Sequence, residues 1–477
     1  MSRILTMLVA MATIVVALAG GVATAYVVGG LAEAHLFTGA SRLTNIIFLM
    51  LVFVMIIATL LTLAERKWSA FMQDRVGPNR ARLGIPGLKN RSLGGIPHII
   101  TDVLKMLTKE DFVPGLANKF LFNLGPLLAF APVFALFAVV PAGPTVSVFG
   151  QKVDMVVATP DFGILYLFAI ASLAVYGTAL AGWSSNNKFA LLGGVRASAQ
   201  MISYEVALGL SLVGLFLTFS SVQLPALVGD VASALSPATG QGKYLWSTQV
   251  FGLDIGIPAW GFIIQPLGFI GFFVASFAET KRAPFDVPEG ESEIIGYFVE
   301  YSGMKFGMFM ISEFVEVVVL AGVTTALFFG GHNLPVFGEA LANNAFMQEH
   351  GWVYGTILGT VFWLKVLLLI WVQLVIRWTF PRFRYDQIQS LGWKILLPVG
   401  LVNVFVTAAL VLWDPSLRAL GVVGILEIAV FMALTLSKKE KSEAGAHGDA
   451  HGHGHDHGHA APAGAHADPH PSAAGAH

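Results

Sequence analysis

Ten apolar stretches, each long enough to cross a bilayer as a helix, constrain this chain more than any other feature of its sequence. A membrane helix needs about 20 predominantly apolar residues, whereas the strands of a membrane barrel are shorter and alternate in polarity. The sequence therefore predicts an all-α fold, a polytopic transmembrane helix bundle with about ten spans. The predicted spans are residues 4–31, 43–64, 120–141, 161–181, 198–221, 258–278, 306–329, 353–376, 393–413 and 417–436.

The composition excludes a soluble fold. Hydrophobic residues make up 55% of the 477 residues and charged residues only 12%, about half the charged share of an average soluble chain. The chain contains no cysteine, which excludes disulfides, thiolate metal sites, iron–sulfur clusters and cysteine nucleophiles within it. The net charge of −1 gives no reason to expect a nucleic-acid partner.

Lysine and arginine are concentrated on one side of the predicted spans. Four loops and the two chain ends carry 23 of the 28 basic residues, so the sequence predicts that these loops are cytoplasmic. Parts of the first loop mix apolar and charged side chains at helical spacing, which predicts amphipathic helices at the membrane surface. The four loops are residues 65–119, 182–197, 279–305 and 377–394.

The two ends of the chain differ from its middle. Arg3, an apolar run and Ala23-Thr24-Ala25 also fit a cleavable signal peptide, but the run is longer than a usual signal core, which favours a retained helix. Residues 444–477 are rich in Ala, Gly and Pro and carry nine of the 13 histidines, so they are predicted to be disordered. Loose binding of a transition metal by these histidines is the less favoured alternative to a plain soluble tail.

Charged side chains within or at the ends of the apolar stretches are the first candidates for chemistry, because a charge in lipid is costly. Neighbouring carboxylates in a low dielectric cannot both ionise cheaply, so such groups can take up and release protons. The alternative is a carboxylate that only packs helices together. A functional role is favoured for Glu205 and Glu313, is left open for Glu316 and Lys365, and is not favoured for Glu427.

The loop after the sixth predicted span is unusually acidic. Between Phe277 and Glu293 it holds five acidic and two basic residues, interrupted by prolines that break helix geometry. A charge run is usually a solvated face, but this one is bracketed by spans and continues through Glu300 to Glu313. The sequence therefore predicts an acidic path from the membrane surface into the bilayer.

Seven segments within residues 43–413 resemble the H subunit of respiratory complex I, the proton-translocating NADH–quinone oxidoreductase (the complex I subunit 1 family). Several independent motifs in the same order make this resemblance far more specific than any single motif. The segments are ERKWSAFMQDRVGPN (65–79), DVLKMLTKE (102–110), GWSSNNKFALLGGVRASAQMISYEV (182–206), AETKRAPFDVPEGESE (278–293), EYSG (300–303), ISEF (311–314) and RWTFPRFRYDQ (377–387).

The resemblance implies a function within a complex. The chain would form the quinone entrance and chamber where the hydrophilic arm docks, and would begin an acidic path coupling quinone reduction to proton translocation. Quinone is then the substrate, the chain alone binds no cofactor or metal, and FMN and iron–sulfur clusters belong to partner subunits. The implied partners are the quinone-site subunits of the hydrophilic arm, the neighbouring membrane-arm subunits, quinone and the lipid bilayer of a bacterial inner membrane.

The resemblance also assigns residues by motif position. Arg282 and Asp286 share the proline-interrupted loop and can pair with each other or with a docked partner. The implied proton-coupling path comprises Glu205, Glu279, Glu289, Glu291, Glu293, Glu300 and Glu313. The implied quinone chamber is lined or braced by Arg66, Arg196, Arg282 and Asp286.

The same resemblance implies a division of the chain. The family core of eight spans carries one extra span at each end and a histidine-rich tail. Within the core, His98-Ile-Ile-Thr replaces the usual Leu-Leu-Gln before Asp102. The implied units are residues 1–42 (extra span or signal-like segment), 43–413 (core), 414–443 (extra span) and 444–477 (tail).

The sequence leaves three other interpretations open. The first is the equivalent membrane subunit of a related hydrogenase or of another donor-driven dehydrogenase, which would differ in its electron donor. The second is a free-standing ion or solute transporter, which does not explain the long charged loops. The third is a purely structural anchor, against which the intramembrane carboxylates argue. Neither ubiquinone nor menaquinone is favoured by the sequence.

Overall fold

A computed structural model of the chain describes residues 3–37, 39–81, 93–232, 237–250, 253–288, 290, 296–335 and 337–449. The predicted path residues Glu289, Glu291 and Glu293 lie outside the described residues. Within the described part the fold is helical, apart from two small antiparallel sheets of two strands each. The all-α prediction is therefore confirmed.

Seventeen α-helices are described, two pairs of which are joined by π-helical segments, Ile46–Val54 between α2 and α3 and Leu391–Leu396 between α15 and α16. The strands are β1 (Val146–Val148), β2 (Gln151–Val153), β3 (Tyr244–Val250) and β4 (Leu253–Pro258). The helices are α1 (Arg3–His35), α2 (Ala40–Asn45), α3 (Met55–Met72), α4 (Pro97–Thr108), α5 (Lys119–Leu136), α6 (Gly163–Ser184), α7 (Lys188–Phe219), α8 (Leu224–Val228), α9 (Gly261–Ile264), α10 (Pro266–Glu279), α11 (Gly303–Phe328), α12 (Gly338–Ala342), α13 (Ala345–Glu349), α14 (Gly351–Thr379), α15 (Tyr385–Ser390), α16 (Leu397–Trp413) and α17 (Arg418–Asp449).

Eight helical stretches among the described residues are long and apolar enough to span a membrane. They correspond to eight of the ten predicted spans and confirm a polytopic helical membrane protein. The remaining two predicted spans fall on α10 and α17. The eight stretches are Met11–His35, Ala40–Met72, Lys119–Val139, Gly163–Ser184, Lys188–Phe219, Gly303–Phe328, Gly351–Thr379 and Tyr385–Trp413.

The sixth predicted span is not one continuous helix. It is broken at Gln265, and α10 has only 14 residues, about 21 Å at 1.5 Å per residue and so shorter than the ~30 Å hydrocarbon core. Gln265 Nε2 donates to Thr407 Oγ1 at 2.6 Å, and Asn403 Nδ2 donates to Gln265 Oε1 at 2.8 Å. These buried side-chain hydrogen bonds join the break to α16, at the point where Pro266 contributes no backbone N–H.

The second half of α1 packs against the bundle. Val22, Ala25 and Tyr26 are fully buried, and Tyr26 Oη donates to the carbonyl of Pro144 at 2.8 Å. Gly355 of α14 leaves room for the Tyr26 ring, because a Cβ there would lie 2.8 Å from a ring carbon. Cleavage within Ala23-Thr24-Ala25, the signal-peptide alternative, would cut α1 through this contact.

Helix α17 divides between two compact units, one ending at Glu427 and the other beginning at Ile428. It extends to Asp449 and so overlaps the start of the predicted disordered tail at residue 444. In residues 443–449, Glu443, Ala444 and Ala446 favour a helix, whereas Gly445 and Gly448 do not. Residues 450–477 lie outside the described residues.

The loops that were predicted to share one side of the membrane meet at one end of the first unit. Their contacts join the end of α3 to α4, the loop after α10 and the end of α14. Helix α4 is the amphipathic helix expected in the first loop, and its Met106 side chain packs against Gly307 of α11. This meeting point positions the candidate site.

Candidate functional site

A cavity of about 770 Å³, here called the large cavity, lies between α3, α4, α11 and the end of α14. This volume falls within the range typical of sites for small organic ligands. Its apolar wall is largely aromatic, which suits a flat ring and an apolar chain. That wall includes Phe298, Phe306, Phe309, Met310 and Phe314.

A buried carboxylate between two arginines forms the charged wall of the large cavity. Arg282 Nη1 lies 2.9 Å from Glu65 Oε2, and Arg377 Nη1 pairs with Glu65 Oε1. Glu65 and Arg282 are 8% and 6% exposed, and the Arg282 guanidinium lies 4.2 Å from the centroid of the Phe314 ring. The Glu65–Arg282–Arg377 group joins α3, the loop after α10 and α14. Each of its buried charges is paired with an opposite charge within the group.

The edge of the large cavity is positively charged. Arg66 Nη1 pairs with Asp102 Oδ2 at 2.6 Å and joins α3 to α4, while Arg75 and Arg80 also line the edge. His98 Nε2 accepts a hydrogen bond from the backbone N–H of Ala81 at 3.1 Å. His98, the residue that distinguishes this stretch from its usual pattern, therefore ties Ala81 to α4.

Three carboxylates from three helices meet at a second, much smaller cavity, here called the carboxylate cavity. Glu205 of α7, Glu279 of α10 and Glu316 of α11 line it, and the rest of its wall is apolar. Its volume of about 20 Å³ matches the space of a single water molecule. The structure thus gathers three acidic side chains in surroundings of low dielectric, where like charges repel strongly.

Helix α11 connects the two cavities. Glu313 lines the large cavity and Glu316 lines the carboxylate cavity. Residues three positions apart on a helix are neighbours, separated by a rise of about 4.5 Å. The acidic side chains of the large cavity and of the carboxylate cavity are thus adjacent on one helix.

Three predicted site residues have other neighbours within the described part of the chain. Glu300 accepts a hydrogen bond from Asn187 Nδ2 at 2.7 Å. The Arg196 guanidinium lies 5.8 Å from the centroid of the Tyr385 ring. Asp286 Oδ2 lies 2.9 Å from Arg382 Nη2.

The expected alternative that Arg282 and Asp286 pair with each other is wrong. Arg282 is paired with Glu65, and Asp286 with Arg382. Pro284 and the left-handed backbone at Lys281 keep this segment from forming a helix, so a spacing of four residues does not bring the two side chains together.

The sequence-based site missed Glu65 and Arg377 and left Glu316 open. Glu65 directly follows the predicted span 43–64 and precedes Arg66, and a charge at the end of a span was a signal for function, but its partner Arg282 lies far away along the chain. The contacts of Lys365, also left open, favour a structural role. Its Nζ donates to the carbonyls just beyond the end of α11, those of Phe329, Gly331 and Asn333, at 2.7, 2.9 and 2.6 Å.

Burial raises the pKa of Asp286 to about 6, and the nearby guanidinium of Arg382 opposes this rise. Since the pKa is above the ordinary value of aspartate, ionisation of Asp286 costs stability as the pH rises through about 6. Infrared titration should show a protonated carboxyl band that disappears as the pH rises through about 6. This band should be missing in Asp286→Asn. In Arg382→Gln the band should persist to higher pH, because the stabilising cation is gone. If the band of Arg382→Gln disappears at the same pH as in wild type, Arg382 does not stabilise the ionised form of Asp286.

Comparison with known proteins places the chain in a family. A family model described as NADH dehydrogenase matches residues 44–408, most of the chain. The chain belongs to the NADH dehydrogenase family, complex I subunit 1. This membership confirms the resemblance seen in the sequence motifs.

Curated relatives from several bacteria match this chain over about three quarters of its length. An NADH-quinone oxidoreductase H subunit of Cytophaga hutchinsonii is 39% identical over 360 residues, covering 75% of this chain and 93% of the relative. The H subunit of Flavobacterium johnsoniae is 37% identical over 369 residues, covering 77% and 94%. An H subunit of Geobacter sulfurreducens is 39% identical over 377 residues, covering 76% and 93%. These names agree with the prediction of a subunit of an enzyme complex.

Proposed function

We propose that the chain forms the quinone entrance and chamber of an NADH–quinone oxidoreductase and begins the acidic path that couples quinone reduction to proton translocation. The observation that carries this proposal is the position of Glu313 and Glu316 on one helix, lining the large cavity and the carboxylate cavity. The names of the relatives support NADH as the electron source rather than the donor of a related hydrogenase.

The large cavity has the chemistry that a quinone requires. Quinone carbonyls accept hydrogen bonds, and arginines such as Arg66 and Arg282 are donors that stay charged. The aromatic wall of Phe298, Phe306 and Phe309 offers contacts for the ring and for an apolar side chain. Electrons reach the quinone from iron–sulfur clusters in partner subunits, with FMN further upstream, since this chain has no cysteine to bind a cluster.

Proton coupling follows from the arrangement of charge. A quinone that gains electrons next to Glu65 and its two arginines changes the local field and favours protonation of nearby carboxylates. The proposed path runs through Glu313, Glu316, Glu279 and Glu205. The acidic loop with Glu289, Glu291, Glu293 and Glu300 joins this path to the surface in the proposal.

The remaining charged groups are proposed to brace the chamber. The Asp286–Arg382 pair and Arg196 hold the loops where the hydrophilic arm docks. Residues 43–413 form the membrane core that contacts neighbouring membrane-arm subunits, and the charged loops face the cytoplasm of a bacterium from its inner membrane.

Photoaffinity labelling of the assembled complex tests the chamber. A short-chain azidoquinone should label peptides from residues 59–80 and 298–314, and an excess of unlabelled quinone should abolish the labelling. Thr62→Trp, which places a large ring in the large cavity, should reduce it, whereas the matched change Thr356→Trp, at a half-buried position of α14 that does not line this cavity, should not. Competable labelling confined to other subunits would contradict the proposed chamber.

A further inference from the structure

Helices α6 and α7 bring a serine hydroxyl onto one of the proposed path carboxylates. Ser172 Oγ donates to the backbone carbonyl of Phe168 at 2.9 Å and also lies within hydrogen-bond distance of Glu205 Oε1. Both side chains are half-buried. A hydroxyl carries one proton, so Ser172 donates to one of these two acceptors at a time and can accept through its lone pairs.

This geometry serves both protonation states of Glu205. When Glu205 is ionised, the Ser172 hydroxyl donates to Oε1. When Glu205 is protonated, its own O–H donates to Ser172 Oγ, and the serine proton turns to the Phe168 carbonyl. No covalent bond of Ser172 changes in this exchange, and the two oxygens stay in contact throughout.

We propose that Ser172 is a positioning residue that keeps Glu205 hydrogen-bonded in both of its protonation states. The proposal rests on the proposed proton path and adds a residue to it. A carboxyl group at bilayer depth without a hydrogen-bond partner is strongly disfavoured, and most of all when it is ionised. With a partner that fits both states, Glu205 keeps a hydrogen bond whether it holds a proton or has released it.

The neighbours of Glu205 show why its hydrogen bond to Ser172 is relevant to the proposed proton path. The carboxylate cavity, with Glu279 and Glu316, lies on one side of Glu205, and Phe168 and Ala171 of α6 also line it. Ser172 follows Ala171 directly, so its hydroxyl meets Glu205 at the edge of that cavity. The serine is thus placed to hold the carboxylate facing the other two.

A serine in a helix often donates to the carbonyl four residues earlier without any functional role. Ser198 on α7 does this with Gly194 at 2.8 Å and is also half-buried. It therefore provides a matched control that has the same local bond but lies outside the Ser172–Glu205 contact. Any effect specific to Ser172 must come from the carboxylate.

The test compares Ser172→Ala, Ser172→Thr and Ser198→Ala in the assembled complex. We expect Ser172→Ala to leave NADH oxidation by a hydrophilic acceptor unchanged and to lower quinone-linked NADH oxidation about 10-fold. The pH–rate profile of Ser172→Ala should be displaced, because a hydrogen bond to an ionised carboxylate is stronger than one to the neutral carboxyl and its loss affects the two states of Glu205 unequally. Ser172→Thr keeps the hydroxyl and should retain most of the rate, and Ser198→Ala should match wild type.

Two results would overturn the proposal. One is a Ser172→Ala variant with the rate and pH profile of Ser198→Ala. The other is a lower rate with an unchanged pH profile that threonine does not restore, which would make Ser172 a packing residue. Glu205→Gln separates this failure from a failure of the proton path. A wild-type rate in Glu205→Gln would contradict both the proton path and the role of Ser172. A slow Glu205→Gln together with a wild-type rate in Ser172→Ala would contradict only the role of Ser172.

Discussion

Glu313→Gln and Glu205→Gln are each expected to lower quinone-linked NADH oxidation and proton uptake together, by about 10-fold or more. Glutamine keeps the shape of the side chain but cannot titrate. Because coupling is obligatory in the proposed function, neither activity runs freely when the path is interrupted. Glu→Asp at either position keeps the titrating group and should retain more of both activities.

The measurement is quinone-linked NADH oxidation alongside proton uptake in vesicles, normalised to assembled complex. Glu427→Gln is the matched control, since Glu427 is a carboxylate in an apolar helix for which a packing role is favoured. Wild-type rates and proton stoichiometry in both Gln variants would reduce Glu205 and Glu313 to helix-packing groups, and the acidic path would have to be abandoned.

Arg282→Ala is expected to cut quinone reduction about 100-fold while NADH oxidation by a hydrophilic acceptor stays close to wild type. The change leaves the buried Glu65 with Arg377 alone and removes the guanidinium from the face of Phe314. The upstream redox step belongs to other subunits in the proposed function, so it should be spared. Arg282→Lys keeps a cation but not the planar geometry and should give an intermediate rate.

Arg384→Ala is the matched control for Arg282→Ala. Arg384 pairs with Asp386 on the same side of the bundle, but its side chain is 79% exposed, so its removal should change neither activity. Assembly is checked by the yield of the intact complex. If both activities of Arg282→Ala fall together in fully assembled complex, Arg282 has no specific role on the quinone side.

Features that depend on composition within one segment could be predicted from the sequence. The spans follow from apolar length, and Glu205, Glu279 and Glu313 stand out because charge is rare inside such segments. Long-range partnerships could not be predicted in this way. Glu65 meets Arg282 across 217 positions of the chain, and nothing near Glu65 in the sequence specifies that contact.

The break in the sixth predicted span shows the same limit. The run through Pro266 is apolar except for Gln265 and Ser276, so hydropathy alone predicts one helix. The side chains that hydrogen-bond the Gln265 side chain at this break, Asn403 and Thr407, come from a helix more than a hundred residues later. The separation of Glu313 and Glu316 between two cavities likewise depends on which helices surround α11, and a spacing of three residues does not reveal it.

The far end of α11 is anchored, and this has a mechanical consequence. Three hydrogen bonds from Lys365 hold the carbonyls just beyond α11, and Gln241 Nε2 donates to those of Ala326 and Leu327 at 2.9 and 3.0 Å. Sliding or turning the whole helix would break all of these bonds at bilayer depth. The other end of α11 is held as well, since Lys305 Nζ lies 2.8 Å from Asp111 Oδ2 and Met106 packs against Gly307. A change of charge in the large cavity is therefore expected to act through Glu313 and its neighbours rather than by moving the whole helix.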